Sequence, residues 1–242
     1  MKIAEPRVEL IAHTAIVPDA IEQRMEIQEG STDAETLTVY AGRSCYESWS
    51  RPNEKTREDK DYLRRTLFEQ GHMSILEHAT ATFYLTGVSR ALLAEITRHR
   101  HLSFSVRSQR FVSEEGASIV IPPAARKSKA TVVYDSEEFH DDLKGSLPKA
   151  LEWWAGEAVW NYEDLVSALT GEGLPRKQAR EAARAVLPNM IETRIVVTGN
   201  MRAWHEVITR RTAPDADAEF QEVAGMIRQE LQKLAPEVFP AP

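Results

Sequence analysis

Residues Ala79–Val88 read ATATFYLTGV, and the pattern then changes at once: Ser89 is followed by the helical spacing of RALLAEITRHR. Thr and aromatic residues favour a pleated, half-buried strand, and a serine at the changeover suits a helix N-cap, so a strand feeds directly into a helix. Thr193–Thr198 (TRIVVT) is a second strand signal, which Gly199 is expected to break. Val8–Val17 holds a short apolar run that reads as a third. Helical spacing covers more of the chain than these strands do. It appears over Ala34–Tyr46 and over Asp59–Gln70, where Leu63 and Leu67 share a face and Gly71 ends the helix.

From Ser136 to about Thr170 the pattern is again helical, with Leu143, Leu151, Val159 and Leu165 at apolar positions and interruptions near Gly145 and Pro148. A further helix opens at Pro175 and runs through KQAREAARAVL towards Pro188. The last opens near Asp215 and carries an amphipathic stripe of Phe220, Val223, Ile227, Leu231 and Leu234. A small mixed sheet among several long helices predicts an α+β fold. No repeat or Gly/Ser linker divides the chain, so residues 1–242 are expected to form a single domain, most irregular over Glu114–Ser136.

A chain of 242 residues with 42% hydrophobic and 28% charged side chains can bury a substantial core, and it holds no apolar run of bilayer length. Lys2, Glu5, Arg7 and Glu9 interrupt any secretory signal at the N-terminus, so a cytoplasmic location without membrane contact is expected. The single cysteine, Cys45, excludes an internal disulfide and a multi-cysteine zinc site, and it reads as a small buried hydrophobe. The net charge of −7 argues against bulk nucleic-acid binding. Yet Ser89–Phe111 concentrates Arg90, Arg98, Arg100, Arg107, Arg110, His99 and His101 against one acid, Glu95.

No glycine-rich dinucleotide fingerprint or phosphate-binding P-loop is present, and His72, Glu77 and His78 have the spacing of no common zinc motif. The run RHRHLSFSVRSQRF differs in kind. Its arginines alternate with Ser103, Ser105, Ser108 and Gln109, a mixture suited to gripping phosphate oxygens, while Phe104 and Phe111 supply packing anchors. Arg184, Arg202, Arg210 and Arg211 form a second basic group, in which Arg210 especially reads as a surface residue. The residues by themselves point to an acidic α+β protein that binds an anion, either a phosphorylated small molecule or, against the net charge, an oligonucleotide.

Arg98, His99, Arg100 and Ser108 match the R-H-R, seven residues, S signature, so the chain resembles the flavin-dependent thymidylate synthases. AGRSCYES (Ala41–Ser48), GHMSILEH (Gly71–His78), RKQAREAARAVLPN (Arg176–Asn189) and ETRIVVTGNMRAWHEVITRR (Glu192–Arg211) are similar to segments of that family in the same order. The resemblance implies conversion of deoxyuridylate (dUMP) to deoxythymidylate (dTMP), with methylenetetrahydrofolate as the one-carbon donor and hydride from NADPH through FAD. It also implies a homotetramer with active sites shared between subunits. Carried over by position, Ser74, Arg98, His99, Arg100, Val106, Asn200, Arg202 and Glu206 are cofactor positions, with His72 and Glu77 bordering them. Glu95, Arg98, Arg107, Ser108, Gln109, Arg110, Arg184 and Arg211 are nucleotide positions, Arg184 reaching in from a neighbouring subunit. Arg211 takes the catalytic role beside the pyrimidine, stabilising negative charge as hydride arrives at C6.

Four positions depart from the family pattern. Val106 stands where Glu or Gln is usual, Arg107 replaces an apolar residue, Glu206 replaces Asn or His, and Phe111 replaces a frequent Tyr. The first removes a polar contact and the third sets an acid towards the flavin.

Overall fold

A computed structural model of the chain describes residues 1–134 and 143–240. The N-terminal part holds β1 (Lys2–Ile3), β2 (Arg7–His13), α1 (Pro18–Glu22), α2 (Asp33–Ser44) and α3 (Asp59–Leu63). α3 continues as a π-helical turn over Arg64–Glu69, and Gly71 at φ +71° reverses the chain into a 3₁₀ turn over Met73–Glu77. Next come β3 (Thr80–Ser89), α4 (Arg90–Ile96), β4 (Leu102–Val106), β5 (Ser118–Ile119), α5 (Pro123–Arg126), β6 (Thr131–Tyr134) and β7 (Leu143–Ser146). The C-terminal part is α6 (Leu147–Gly171), α7 (Arg176–Ala183), β8 (Glu192–Asn200), α8 (Met201–Arg211) and α9 (Ala218–Leu234).

The main sheet has the order β2-β3-β8-β4 and is antiparallel throughout; parallel pairing occurs between β1 and β5. The mixed sheet expected from sequence is therefore an antiparallel one with a small parallel pair beside it. β3 alternates buried Ala81, Phe83 and Leu85 with half-buried neighbours, and β8 does the same with Ile195 and Val197, so both strands turn one face to the core. Against that face lies Trp204, which donates from Nε1 to the Ala81 carbonyl at 3.0 Å and meets the Phe83 ring edge-on at 5.1 Å. Phe220, Val223, Ile227 and Leu231 of α9 complete this core, as their spacing predicted. A second apolar cluster joins Ile119, Ile121 and Ile191 to Ala155 and Val159 of α6.

Both strand-to-helix changes carry caps. Ser89 Oγ accepts from Leu92 N at 3.0 Å at the start of α4, and Asn200 Oδ1 accepts from Ala203 N at 2.8 Å at the start of α8. The expected break at Gly199 does not occur, because β8 runs on to Asn200. The missing side chain serves packing instead. A Cβ on Gly199 would sit 2.4 Å from Leu102 Cδ2 and 3.1 Å from Trp204 Nε1, where β4 and α8 close over the strand.

Three further expectations change. The helix anticipated from Ser136 begins at Leu147, with Pro148 in its first turn, while Gly145 and Leu143 lie in β7; residues 136–142 fall outside the described residues. The segment expected to be irregular holds β5, α5 and β6. Cys45 is exposed, since it caps the C-terminal end of α2 and its Sγ reaches only the Ala41 carbonyl at 3.4 Å. No helix among the described residues is long and apolar enough to cross a membrane.

Substituting Gly199→Ala should force Leu102 and Trp204 apart and cost about 1–3 kcal/mol, the range for overpacking. Thermal unfolding would report this as a lower Tm; a variant as stable as the wild type would mean that the packing around Gly199 yields without cost.

Candidate functional site

The turn between α4 and β4 carries Arg98, His99, Arg100 and His101, and it sits where β8 delivers the chain into α8. Leu102 pairs with Gly199, so the register of the sheet sets the turn beside the first residues of α8. Together these elements enclose a cleft of about 270 Å³ lined by the four turn residues and by Glu206, Arg210 and Arg211 of α8. His101, Ala203 and Glu206 also line an adjoining cleft of about 340 Å³ that reaches Asn200, Arg202 and Glu77. An ion pair from Arg202 to Glu77 ties the 3₁₀ turn of Ser74 to this rim, and Ser74 is exposed on it.

Arg211 is the most constrained cation of the cleft. Its Nε donates to His99 Nε2 at 3.0 Å and its Nη1 donates to Glu95 Oε2 at 3.0 Å. Because a guanidinium has only donors, His99 Nε2 must present its lone pair, which leaves the ring neutral with its proton on Nδ1. Burial and then the Arg211 charge hold the His99 pKa below the ordinary histidine value. The stabilisation from this contact is therefore complete above pH ~6.5 and is lost as acid carries the ring through its depressed pKa.

Other arginines are left open. Arg98 is 71% exposed and makes only a 3.4 Å contact with Glu95, one turn before it. Arg100 has no ion pair among the described residues. Glu206 does face both clefts, but Arg210 pairs with it at 2.9 Å and balances its charge. Arg210 is a surface residue, as expected, and it also lines the cleft.

The structure does not bring all the sequence-predicted positions to this cleft. Val106, Arg107, Ser108, Gln109 and Arg110 lie at the far end of β4, about 13 Å along a strand of this length. There Arg107 donates from Nη1 to Glu114 Oε2 at 2.7 Å and from Nη2 to the Ser113 carbonyl at 3.0 Å. Glu114 is 1% exposed; burial raises its carboxyl pKa, while Arg107 and Arg90 oppose that shift. Gln109 is buried beside the same carboxylate and also opposes its shift, although its Nε2 makes no well-formed hydrogen bond among the described residues. α7 packs on this segment: Arg180 Nη1 donates to the Phe111 carbonyl at 2.8 Å, and Glu181 approaches Arg110 at 3.7 Å. Arg184, just past α7, is exposed and has no ion pair among the described residues. One chain thus presents two separate basic surfaces, one at each end of β4.

The arginine-rich run finds acidic partners outside its own bounds: Glu114, just beyond it, pairs with Arg107, and Glu181 of α7 pairs with Arg110. Sequence reasoning also missed α8, although Met201, Trp204, Val207 and Ile208 recur at helical spacing and are all buried. Among the described residues no cluster of His, Cys, Asp and Glu has a metal-binding arrangement.

A basic cleft fed by a strand, a four-residue Arg-His-Arg-His turn and an arginine-ended helix has the chemistry to hold an anion. The chain matches the family described as Thymidylate synthase complementing protein over residues 26–237, and it belongs to that family. A probable flavin-dependent thymidylate synthase of Mycobacterium phage L5 is 43% identical to it over 245 aligned residues, covering 96% of each chain. The flavin-dependent thymidylate synthase of Mycobacteroides abscessus is 42% identical, over 98% of this chain and 90% of its own. That of Corynebacterium aurimucosum is 41% identical, over 98% of this chain and 91% of its own.

Removing Arg107 alone, as in Arg107→Leu, should destabilise the protein by about 3 kcal/mol at neutral pH, because it strands a buried carboxylate. The deficit should shrink as pH falls into the carboxylate range, where neutral Glu114 no longer needs a counter-charge, and Arg107→Leu/Glu114→Gln should recover most of it. Urea unfolding at several pH values checks this; a pH-independent deficit would contradict it.

Proposed function

We propose that this protein is a flavin-dependent thymidylate synthase, converting deoxyuridylate to deoxythymidylate with methylenetetrahydrofolate as carbon donor, FAD as bound cofactor and NADPH as reductant. The observation that carries the reading is the basic cleft around Arg98–Arg100 and Arg211, together with family membership over most of the chain. Arg98 and Arg100 are exposed, and neither is committed to a strong internal ion pair, which suits them to the pyrophosphate of a dinucleotide. The donor set fits FAD in that respect. Ser74, His99, Asn200 and Arg202 would complete its holding, with Glu206 kept tolerable by Arg210, while the backbone of Val106, at the other end of β4, would reach it from another copy of the chain. The bound flavin supplies hydride transfer, which no side chain of the cleft can perform.

The protein's own residues bind and polarise. Arg211, held from two sides by His99 and Glu95, keeps a fixed positive charge where the pyrimidine gains negative charge. Such a preorganised donor acts without reorganising during the reaction. Neutral His99 cannot repel that cation, so its depressed pKa and the Arg211 charge support each other. Ser108, Gln109, Arg110 and Arg184 belong to the nucleotide phosphate, and Arg107 fixes their segment through Glu114.

Because those residues and the Arg98–Arg211 cleft lie at opposite ends of β4, a complete site needs the second surface from another copy of the chain. A homotetramer with shared sites satisfies this requirement. The working unit is then an assembly of single-domain subunits acting on small molecules in the cytoplasm.

Purified protein should show a flavin spectrum and oxidise NADPH in a deoxyuridylate-dependent way, and Arg211→Lys should lower turnover by roughly 10²–10³-fold while flavin stays bound. A colourless protein that ignores added FAD would end the enzyme reading. Mixing Arg98→Ala subunits with Arg184→Ala subunits should restore activity that neither has alone. Full subunit exchange with no recovery would exclude a site shared in this way.

A further inference from the structure

We infer that Phe220, in the first turn of α9, is a positioning residue that holds the Arg211–His99 pair from the core side of the cleft. The inference rests on the function proposed above and extends it to a residue that contacts no ligand. The Phe220 ring is fully buried. The Arg211 guanidinium carbon lies 4.8 Å from its centroid, and the His99 ring meets it edge-on at 5.9 Å and 86°. A cation near an aromatic ring and a T-shaped ring pair are both attractive arrangements. Arg211 is consequently fixed by three groups, through Nε by His99, through Nη1 by Glu95 and through its guanidinium carbon by Phe220. Both N–H groups of Nη2 and the second of Nη1 make no hydrogen bond among the described residues.

The ring can act as a reference point because its own turn is anchored independently. Asp217 Oδ1 accepts from Phe220 N at 3.0 Å, which caps α9. The neighbouring Glu219 carboxylate, also buried, accepts from Ser89 N at 2.7 Å and from Ser89 Oγ at 2.6 Å. Ser89 is in turn the N-cap of α4. One turn of α9 therefore grips α4 at its beginning through Glu219 and the residues just past its end through Phe220. Glu95, Arg98 and His99 hang between these two anchors. A residue of similar volume without a ring would fill the core but would offer neither attraction.

The charged groups facing His99 are Arg98 on its own segment and Glu206, Arg210 and Arg211 on α8, and none is changed by substituting Phe220. Phe220→Leu and the ring-keeping Phe220→Tyr should be compared in thermal unfolding, in an NMR titration of the His99 ring, and in kcat and KM. In the Leu variant His99 should titrate closer to the ordinary histidine value, as water reaches the ring and Arg211 loses its fixed place. Its kcat should fall roughly 10- to 100-fold, the scale of a small misplacement of reacting groups, with a smaller change in KM. The Tyr variant should stay near wild type in both. Wild-type titration of His99 in the Leu variant, or equal damage in both variants, would overturn the inference. Should the Leu variant fail to fold, Phe220→Met is judged by the same two criteria. If the wild type itself shows no turnover, the proposed function fails, and the His99 titration still decides the role of Phe220.

Discussion

The antiparallel pairing of β3 with β8 is the contact on which the remaining architecture depends. It sets Thr80 opposite Asn200 and Ser89 opposite Glu192, bringing together segments more than 100 residues apart in sequence. No local turn seeds such a pairing; the apolar faces of both strands, closed by Trp204 and by the stripe of α9, must supply the driving force. Because each strand runs straight into a capped helix, aligning the strands also aligns α4 and α8. The Arg98–His101 turn and Arg211 then meet, and His99 and Glu95 fix the contact.

Charge is used in two different ways across the two basic surfaces. Arg211 and Arg107 are held by carboxylates and by neutral acceptors, so their positions are set before any ligand arrives. Arg98, Arg100 and Arg184 project into solvent with weak internal pairing or none among the described residues. Fixed cations suit the electrostatic demands of a reacting centre, whereas open ones suit the capture of phosphates. Neutralisation of Glu206 by Arg210 shows how an acid can be kept in the same trough without cancelling that positive field.

Much of the fold was legible because its signals are local. Ser89 announced its helix through the change of period, and the apolar stripe of α9 was visible as spacing alone. β4 was not legible: LSFSV carries two serines and lies within an arginine-rich run, so only its partner β8 makes it a strand. Gly199 misled in the opposite direction, since a glycine inside a strand can mark close approach as well as termination. Cys45 was expected inside on residue type, yet its place just past α2 puts it outside.

The sequence by itself determined the chemical inventory: an arginine-histidine turn, an arginine-ended segment after a strand, and a family signature that joins them. Those properties depend on residue identity and short spacing, which sequence carries directly. Tertiary structure decided which charges are spoken for. Glu206 and Arg210 form an i,i+4 pair within α8, but the pairing of Glu114 with Arg107 and the stacking of Phe220 on Arg211 are made only by the tertiary fold. It also decided that the two basic surfaces stand at opposite ends of β4, because a strand paired along its length cannot fold back to bring its ends together.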